Sequence, residues 1–379
     1  MKISAILMTQ NSAEFEKVAS SALSPHAGSS QFFRDELRSG ELALSLGFDG
    51  IWCVEHHFTP HGETPSPLQT LTYFAGRNPE ASLGTCVVVL PWNDPVRVAE
   101  QISVLDNMIG HKGRLTIGLG RGSAQDEFDG FEVPLGESTQ RFQENYEIVR
   151  RLLTEENVTF EGQWRNLRNK TVLPRPRNVD IVDNFHYSWS SKTSMNFAAE
   201  SGFSPLFVAK GSPAEYSADM LEFNMIRANR GWGPAQPIVS LNVFADKDPY
   251  KAREEGRKYL RAFYSNTLDH YKRLDASHFR AAGGYEETAR LAEEMAKRDR
   301  DELLDDLCDL QITGTPDEVV QRLEEWRDVM TPTEFLFSMR FGGMPYDVAE
   351  ANMRHIAEIL PTVEKWAVPA PAAAVPAGA

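Results

Sequence analysis

The chain has 379 residues, of which 41% are hydrophobic and 25% are charged, a balance typical of soluble globular proteins. The formal net charge of −15 disfavours broad binding of nucleic acid or of anionic membranes, and no apolar stretch approaches the roughly 20 residues that span a bilayer. Three cysteines are too few for a disulfide framework. We therefore expect a cytoplasmic protein without nucleic-acid or membrane partners.

Short apolar runs alternate with amphipathic helical stretches, which is the pattern of a parallel sheet covered by helices. Helix starts lie between the runs: Asp94-Pro95 supplies an N-cap and a first-turn proline, and Thr315 to Glu318 forms a capping box. Eight runs in this alternation favour a (β/α)8 TIM barrel, an α/β fold, over an open sheet. The strands are predicted near residues 2–9, 48–54, 82–90, 114–119, 184–189, 204–209, 237–245 and 334–340.

Two segments depart from this alternation and are interpreted as insertion loops. Residues 155–183 contain prolines and little helical pattern, and residues 265–312 are more polar and lengthen the connection before the last strand. Loops of this length in a compact domain are often lids or binding segments. We predict one domain over residues 1–366, followed by a disordered tail rich in Ala and Pro over residues 367–379.

The first candidate for chemistry is the block Glu55-His56-His57-Phe58, which ends the second predicted strand. Catalytic side chains gather at the carboxyl ends of parallel strands, and an imidazole changes charge near neutral pH. His56 is therefore a candidate general base; the alternative is a structural pair of histidines bonded to the backbone. A metal site that also uses His57 and His61 is disfavoured, because Pro60 prevents the helix that would align them.

The second candidate is the turn Gly118 to Ser123, which lacks both the dinucleotide fingerprint and the P-loop pattern. Its glycines, Gly120 among them, would let a flat ligand approach the backbone closely, and Arg121 would meet a phosphate or a carboxylate. The alternative is a tight turn with a surface arginine. Just beyond it, Glu127 is either a simple solvated carboxylate or a group that orients His56 or contacts a flavin ring.

The third candidate is the run of hydroxyl residues Ser190, Ser191 and Thr193, which follows the fifth predicted strand and begins a helix. Such residues are ordinary helix N-caps. They are also what a phosphate meets at a helix N-terminus, together with free backbone N–H groups. Capping is expected here in either case, and phosphate binding is a further interpretation.

In their order and spacing these blocks resemble the bacterial luciferase-like flavin monooxygenases over nearly the whole chain before the tail. The blocks that carry the resemblance are Gly47–Trp52, Glu55–Phe58, Gly84–Pro91, Asp94–Glu100, Gly113–Leu115, Gly118–Gly122, Glu127–Phe131, Arg150–Glu155, Thr159–Gly162 and Ala198–Gly202. The resemblance implies a luciferase-like TIM barrel. It also implies a two-component monooxygenase that uses reduced FMN and O₂ to oxygenate a small organic substrate through a flavin C4a-(hydro)peroxide, with a separate flavin reductase as partner.

The resemblance also assigns residues. His56 matches the catalytic histidine and Arg121 the arginine that binds the flavin phosphate, while a cis peptide of the family would fall at Cys86–Val87, beside the flavin. The phosphate-binding serine corresponds most nearly to Ser191, next to Ser190. In luciferase a cysteine stands at the position of Gly120, so light emission is not implied.

Two alternatives remain at this point. One is an oxidoreductase of the same superfamily that uses the deazaflavin F420, and the other is a non-catalytic flavin-binding subunit. The intact histidine block favours an active subunit. Analogy with the family implies a homodimer through the helices that flank the second strand, and no resident metal is expected.

Overall fold

The structure, a computed structural model, describes residues 1–11, 25–109, 114–189, 191–282 and 285–368, without the side chains of 25–28. The predicted tail therefore falls mostly outside the described residues, and the single-domain assignment stays a prediction. The strands of the described ranges are β1 (Lys2–Leu7), β2 (Gly50–Cys53), β3 (Ser82–Val89), β4 (Leu115–Gly120), β5 (Val158–Glu161), β6 (Asn166–Lys170), β7 (Phe185–Tyr187), β8 (Ser204–Val208), β9 (Ile238–Ala245), β10 (Ile312–Gly314) and β11 (Glu334–Ser338).

Eight of these strands form a closed parallel barrel. The order around it is β1, β2, β3, β4, β7, β8, β9 and β11, and β11 pairs again with β1. Short β10 adds to the far end of β9. Each barrel strand coincides within a few residues with a predicted one, so the prediction of a (β/α)8 TIM barrel is confirmed.

Helices follow the strands and cover the outside of the barrel. They are α1 (Pro25–Ser45), α2 (Pro67–Arg77), α3 (Pro95–Ile109), α4 (Gln125–Gly130), α5 (Ser138–Thr154), α6 (Lys192–Glu200), α7 (Pro213–Asn229), α8 (Pro249–His270), α9 (Ala276–Ala282), α10 (Glu286–Met295), α11 (Arg300–Asp309), α12 (Pro316–Met330), α13 (Tyr346–Ala357) and α14 (Leu360–Val363). Both predicted helix starts are confirmed: Asp94 Oδ1 accepts hydrogen bonds from two backbone N–H groups of α3, and Thr315 forms a capping box. Within the described ranges, no helix is long and apolar enough to cross a membrane.

Alternation along the strands separates two apolar layers. In β2, Ile51 and Cys53 pack in the large core between the strands and the helices, whereas Trp52 packs in a smaller cluster inside the barrel, as expected for strands whose side chains point alternately in and out. Trp52 Nε1 donates to Glu334 Oε1 at 3.2 Å. Trp52 therefore fills the barrel interior.

Both insertion loops have more regular structure than the sequence indicated. Within 155–183, β5 and β6 form an antiparallel hairpin, and within 265–312 the chain forms α9, α10, α11 and β10. Leu304 of α11 packs with Leu260 and Phe263 of α8 in a core of their own. The second insertion is therefore a packed helical unit over the carboxyl ends of the strands, with its own buried apolar side chains.

Candidate functional site

A cavity of about 200 Å³ opens at the carboxyl ends of the barrel strands, where β2, β3, β4, β7 and β8 end. It brings together six of the eight residues that the sequence singled out, which are His56, Cys86, Val87, Gly120, Arg121 and Glu127. Ser191 lines a larger neighbouring cavity of about 840 Å³, and the two cavities share part of their walls. Ser190 lies outside the described residues.

His56 and Glu127 form a hydrogen-bonded pair in the wall of the first cavity. The Nδ1 atom of His56 lies 3.0 Å from Oε1 of Glu127, and the two side chains are 11% and 2% exposed. The same oxygen accepts a hydrogen bond from the backbone N–H of His57 at 2.9 Å. Since an ionised carboxylate only accepts hydrogen bonds, the proton of a neutral His56 lies on Nδ1, and Nε2 carries the lone pair.

The charge on Glu127 is held by its partners. Burial acts to raise the pKa of Glu127, but the charge of His56 and the hydrogen bonds from His56 and from the backbone of His57 outweigh it, so the pKa lies below its usual value. A buried carboxylate that stays ionised fixes the ring orientation and tautomer of its histidine and stabilises the protonated ring. This pair is therefore equipped to accept and return a proton.

Two further histidines pack against His56. The rings of His61 and His270 lie 4.6 and 5.3 Å from it, centroid to centroid. His61 bonds Asn266 and His270 bonds Thr59 through their Nδ1 atoms, at 2.9 and 2.8 Å. Burial, reinforced by the charge of His56, lowers the pKa of His270 to about 3 and lowers that of His61 well below its usual value. Both rings are therefore neutral at physiological pH.

The three clustered imidazoles meet the distance requirement for a metal-binding group, because a nitrogen from each lies within 4.8 Å of the others. The ring planes do not fit. His61 and His270 stack at 4.3 Å with only 16° between their planes, and a metal ion binds an imidazole along the lone pair, in the plane of the ring. Two stacked rings cannot both place one ion in their planes. His57, which the sequence considered beside them, instead bonds Glu55 through Nε2 at 3.2 Å.

The peptide bond between Cys86 and Val87 is cis, so the prediction of a cis peptide at this position is confirmed. Both residues line the first cavity, on the strand that pairs with β4. A side chain at Gly120 would overlap the side chain of Val87, which is the reason for glycine at this position. Burial raises the pKa of the Cys86 thiol to about 12, so this wall of the cavity carries no charge.

Arg121 supplies positive charge at the other side of this cavity. Its guanidinium donates to Thr139 Oγ1 at 2.8 Å and stacks 4.4 Å from the ring centre of Tyr285. Among the described residues, no carboxylate lies within 4 Å of it. An arginine held by neutral partners in a cavity wall is typical of a site for a phosphate or a carboxylate.

Among the described residues at the N-terminus of α6, Ser194 rather than Ser191 shares this cavity with Arg121. Ser191 caps α6 by accepting a hydrogen bond from the backbone N–H of Ser194, and the two hydroxyl oxygens are 2.9 Å apart. The predicted capping role of Ser191 is therefore confirmed. Arg121, Ser194 and the N-terminus of α6 are donors of the kind that bind a phosphate.

The sequence reasoning missed several residues of the cavity walls. Lys210 lies two residues beyond the end of β8, and the strand-end argument that found His56 would have found it. Arg273 lines the cavity just after the end of α8, and His270, the last residue of α8, packs against His56. No local pattern marks them, because only the packing of the second insertion over the barrel brings them to the site.

A family model described as luciferase-like monooxygenase matches residues 13–331. The chain is 25% identical over 235 residues to the alkanal monooxygenase alpha chain of Photorhabdus luminescens, a match that covers 62% of this chain and 64% of that protein. The chain thus spans a little under two thirds of the length of this relative, and less than half of the relative described as 4-hydroxyprotoasukamycin monooxygenase from Streptomyces nodosus, with 31% identity.

Solved structures share the fold over nearly the full length. A monooxygenase from Streptomyces bottropensis is 26% identical, with a TM-score of 0.74, over 96% of this chain and 100% of that one. The oxygenating constituent of 3,6-diketocamphane monooxygenase from Pseudomonas putida, solved with FMN, is 17% identical with a TM-score of 0.71, over 98% and 99% of the two chains. Two F420-dependent enzymes share the fold at 15% and 18% identity.

Proposed function

This chain belongs to the luciferase-like monooxygenase family, and on that premise we propose that it is a two-component monooxygenase that uses reduced FMN and O₂ to oxygenate a small organic molecule. A separate flavin reductase would deliver the reduced FMN. A cytoplasmic location and a homodimer are parts of the same proposal. The three cysteines are free and buried, which fits a reducing compartment.

The observation that carries the proposal is that one cavity is lined by a histidine–carboxylate pair and by an arginine that has no carboxylate partner among the described residues. His56 and Glu127 supply the proton-transfer group, and Arg121 supplies the charge for a phosphate. The same cavity also contains Cys86 and Val87, whose cis peptide bond matches the family pattern. Each of these three features could have a purely structural role. Because all three line the same cavity, we interpret the cavity as a functional site.

FMN fits the chemistry of these donors. Its phosphate would be held by Arg121, by Ser194 and by the N-terminus of α6, which Ser191 caps. Its ring would lie toward Cys86–Val87, where the thiol is neutral. When bound, reduced FMN supplies the electrons with which O₂ is activated. The route of oxygen transfer that the resemblance implies remains a prediction.

The protein's own part is to move a proton and to exclude water. His56 would accept a proton at Nε2 from the substrate side and return it, while Glu127 holds the ring and stabilises its charged form. Around them, Tyr187 and Trp189 line the cavity and the second insertion covers it. Exclusion of water strengthens the electrostatic interactions in the site and suppresses side reactions.

The test is a turnover assay with ¹⁸O₂, FMN, NADH and an added flavin reductase, in which candidate substrates are screened for ¹⁸O-labelled products by mass spectrometry. His56→Gln should lower product formation by about 10²–10⁴-fold. The control is His355→Gln, because His355 lies in α13 outside the cavity. Wild-type turnover in the His56 variant at saturating reduced FMN would remove the proposed role.

Two further measurements, one with F420 without oxygen and one of FMN binding, separate the alternatives. Hydride transfer to F420 under anaerobic conditions, without binding of FMN, would identify an F420-dependent oxidoreductase. Tight binding of FMN without turnover of any substrate would instead indicate a flavin-binding subunit. Oxygen-dependent product formation with FMN supports the monooxygenase and opposes both.

A further inference from the structure

Two basic side chains lie where the two cavities meet. Lys210 follows β8, and Arg273 follows α8, and each lines both the smaller cavity that contains His56 and the larger one beside it. They come from elements 63 positions apart in the chain, so their meeting is a property of the fold. The junction between the two cavities is therefore positively charged.

Neither cation has an acidic partner among the described residues. No carboxylate in the described part of the chain lies within 4 Å of Lys210 or of Arg273, and the guanidinium of Arg273 instead faces the ring of Tyr271 at 5.0 Å. The two carboxylates of the smaller cavity have other partners. Glu127 bonds His56, and Glu55 accepts from the side chains of Trp92 and Asn93 and from the backbone of Val89.

Five acidic residues line the larger cavity, and four of them pair with other groups of the protein. Asp219 pairs with Lys192 at 2.9 Å, and Asp306 pairs with Arg298 at 2.6 Å. Asp309 pairs with Arg257, and Glu215 bonds the backbone N–H of Ser212, while Glu287 is exposed at the rim. The positive charge of Lys210 and Arg273 thus faces space that a ligand can occupy.

The two cations affect each other. Burial, and then the charge of Arg273, lowers the pKa of Lys210 to about 7, and burial lowers the pKa of Arg273. The side chain of Lys210 is accessible to solvent where it lines the cavities. Protein atoms nevertheless surround it at longer range, and this burial lowers its pKa. Two like charges held together without an anion cost free energy, and an anion bound between them would remove that cost.

We propose that Lys210 and Arg273 bind the carboxylate of an organic-acid substrate whose apolar body lies in the larger cavity. This inference rests on the proposed function, in which Arg121 takes the phosphate of FMN and leaves these two cations free for a second anion. A guanidinium can bind a carboxylate through two parallel hydrogen bonds, and an ammonium adds a point charge.

The wall of the larger cavity fits the rest of such a molecule. Leu291, Met295, Leu303 and Leu307 line it from α10 and α11, and Phe207 lines it from β8. A substrate with its acid group at the junction would fill this apolar space with its body and reach toward His56 through the smaller cavity. The inference therefore names an amphipathic acid and disfavours a neutral hydrocarbon aldehyde.

The test compares two aromatic probes of one shape, 2-naphthoate and 2-naphthamide, by calorimetric titration of the FMN-loaded protein. We expect the carboxylate to bind at least tenfold more tightly than the amide. Lys210→Met and Arg273→Met should each remove most of this preference and leave the affinity for FMN within about twofold. The control is Lys272→Met, because Lys272 is next in the chain to Arg273 but pairs with Asp126 at 3.2 Å.

A second measurement guards against misfolding. If the two cations serve a ligand and not the fold, their replacement should leave Tm unchanged or raise it in the absence of anions. Equal binding of the two probes by the wild type, no binding of either at millimolar concentration, or a loss of FMN affinity in place of the carboxylate preference would overturn the inference. Failure of the wild type to bind FMN would instead count against the proposed function, and the probe comparison on the flavin-free protein would still test the two cations.

Discussion

Replacement of Glu127 by Gln is the sharpest perturbation of the candidate site. The substitution keeps the shape of a side chain that is 2% exposed and removes only its charge. Oε1 of Glu127 accepts from both His56 and the backbone of His57, and the amide oxygen of glutamine can accept from both donors as well. The tautomer of His56 is then kept, but the charge-assisted hydrogen bond that stabilises its protonated ring is lost.

The magnitude follows from the bond that is lost. A hydrogen bond to a charged group contributes about 1.5–3 kcal/mol, and each 1.36 kcal/mol corresponds to a tenfold change in rate. We therefore expect the Glu127→Gln variant to form ¹⁸O-labelled product about 10- to 150-fold more slowly at saturating reduced FMN. Its affinity for FMN should change little, because Arg121 and α6 are untouched.

The matched control is Asp126→Asn. It makes the same change of acid to amide one position earlier, on a side chain that is about half exposed and pairs with Lys272 outside the cavity. Spectra of ¹⁵N-labelled histidine provide a readout that needs no substrate, since wild-type His56 should carry its proton on Nδ1. Unaltered turnover in the Glu127 variant, or a proton on Nε2 of neutral wild-type His56, would refute the reasoning.

Three further predictions concern stability. The pKa of His270 is lowered to about 3, so below pH 6.5 the unfolded chain binds more protons than the folded one. A fall from pH 7 to pH 5 should therefore lower the free energy of unfolding by about 2 kcal/mol through this residue alone. In urea titrations at the two pH values, His270→Gln should lose correspondingly less stability than the wild type, and an equal loss in both proteins would contradict this. Arg340→Met leaves buried Glu36 without its partner at 3.0 Å and should lower the free energy of unfolding by about 3–5 kcal/mol, whereas replacing both by apolar residues should restore most of it. Gly118→Ala would overlap a backbone carbonyl of β3 and should cost about 1–3 kcal/mol, while Gly76→Ala on α2 meets nothing within 4 Å and should be neutral or stabilising by thermal unfolding.

Much of the barrel could be predicted from the sequence because its signals are local. A buried parallel strand is a short apolar run, and its position is fixed by the residues that bound it. The eight strands were found for this reason. The hairpin of β5 and β6 was missed, because its residues are largely exposed and carry little apolar pattern. The helices of 265–312 were missed because that segment is polar on average. One or two apolar residues per turn are nevertheless enough to bury one face of each helix.

The residues of the candidate site also fall into those that could be predicted from the sequence and those that could not. His56 and Arg121 follow strands, so the strand-end argument located them and the closed barrel brought them to one cavity. Ser194 replaced Ser191 in the wall of that cavity because the first turn of α6 rotates successive hydroxyls to different sides. Which serine faces the cavity depends on the orientation of α6 against β7. The local sequence does not determine that orientation.

By itself the sequence determined the alternation of strands and helices, the family, and the residues that follow each strand, since these depend on neighbours in the chain. Only the tertiary structure decided that His270 stacks on His61, that Glu127 holds His56, and that Lys210 and Arg273 share one junction with no carboxylate of the described residues within 4 Å. Contacts in the site join distant parts of the chain: the hydrogen bond between Thr59 and His270 joins residues 211 positions apart. Distance, burial and the absence of a nearby opposite charge are set only when the whole chain is packed.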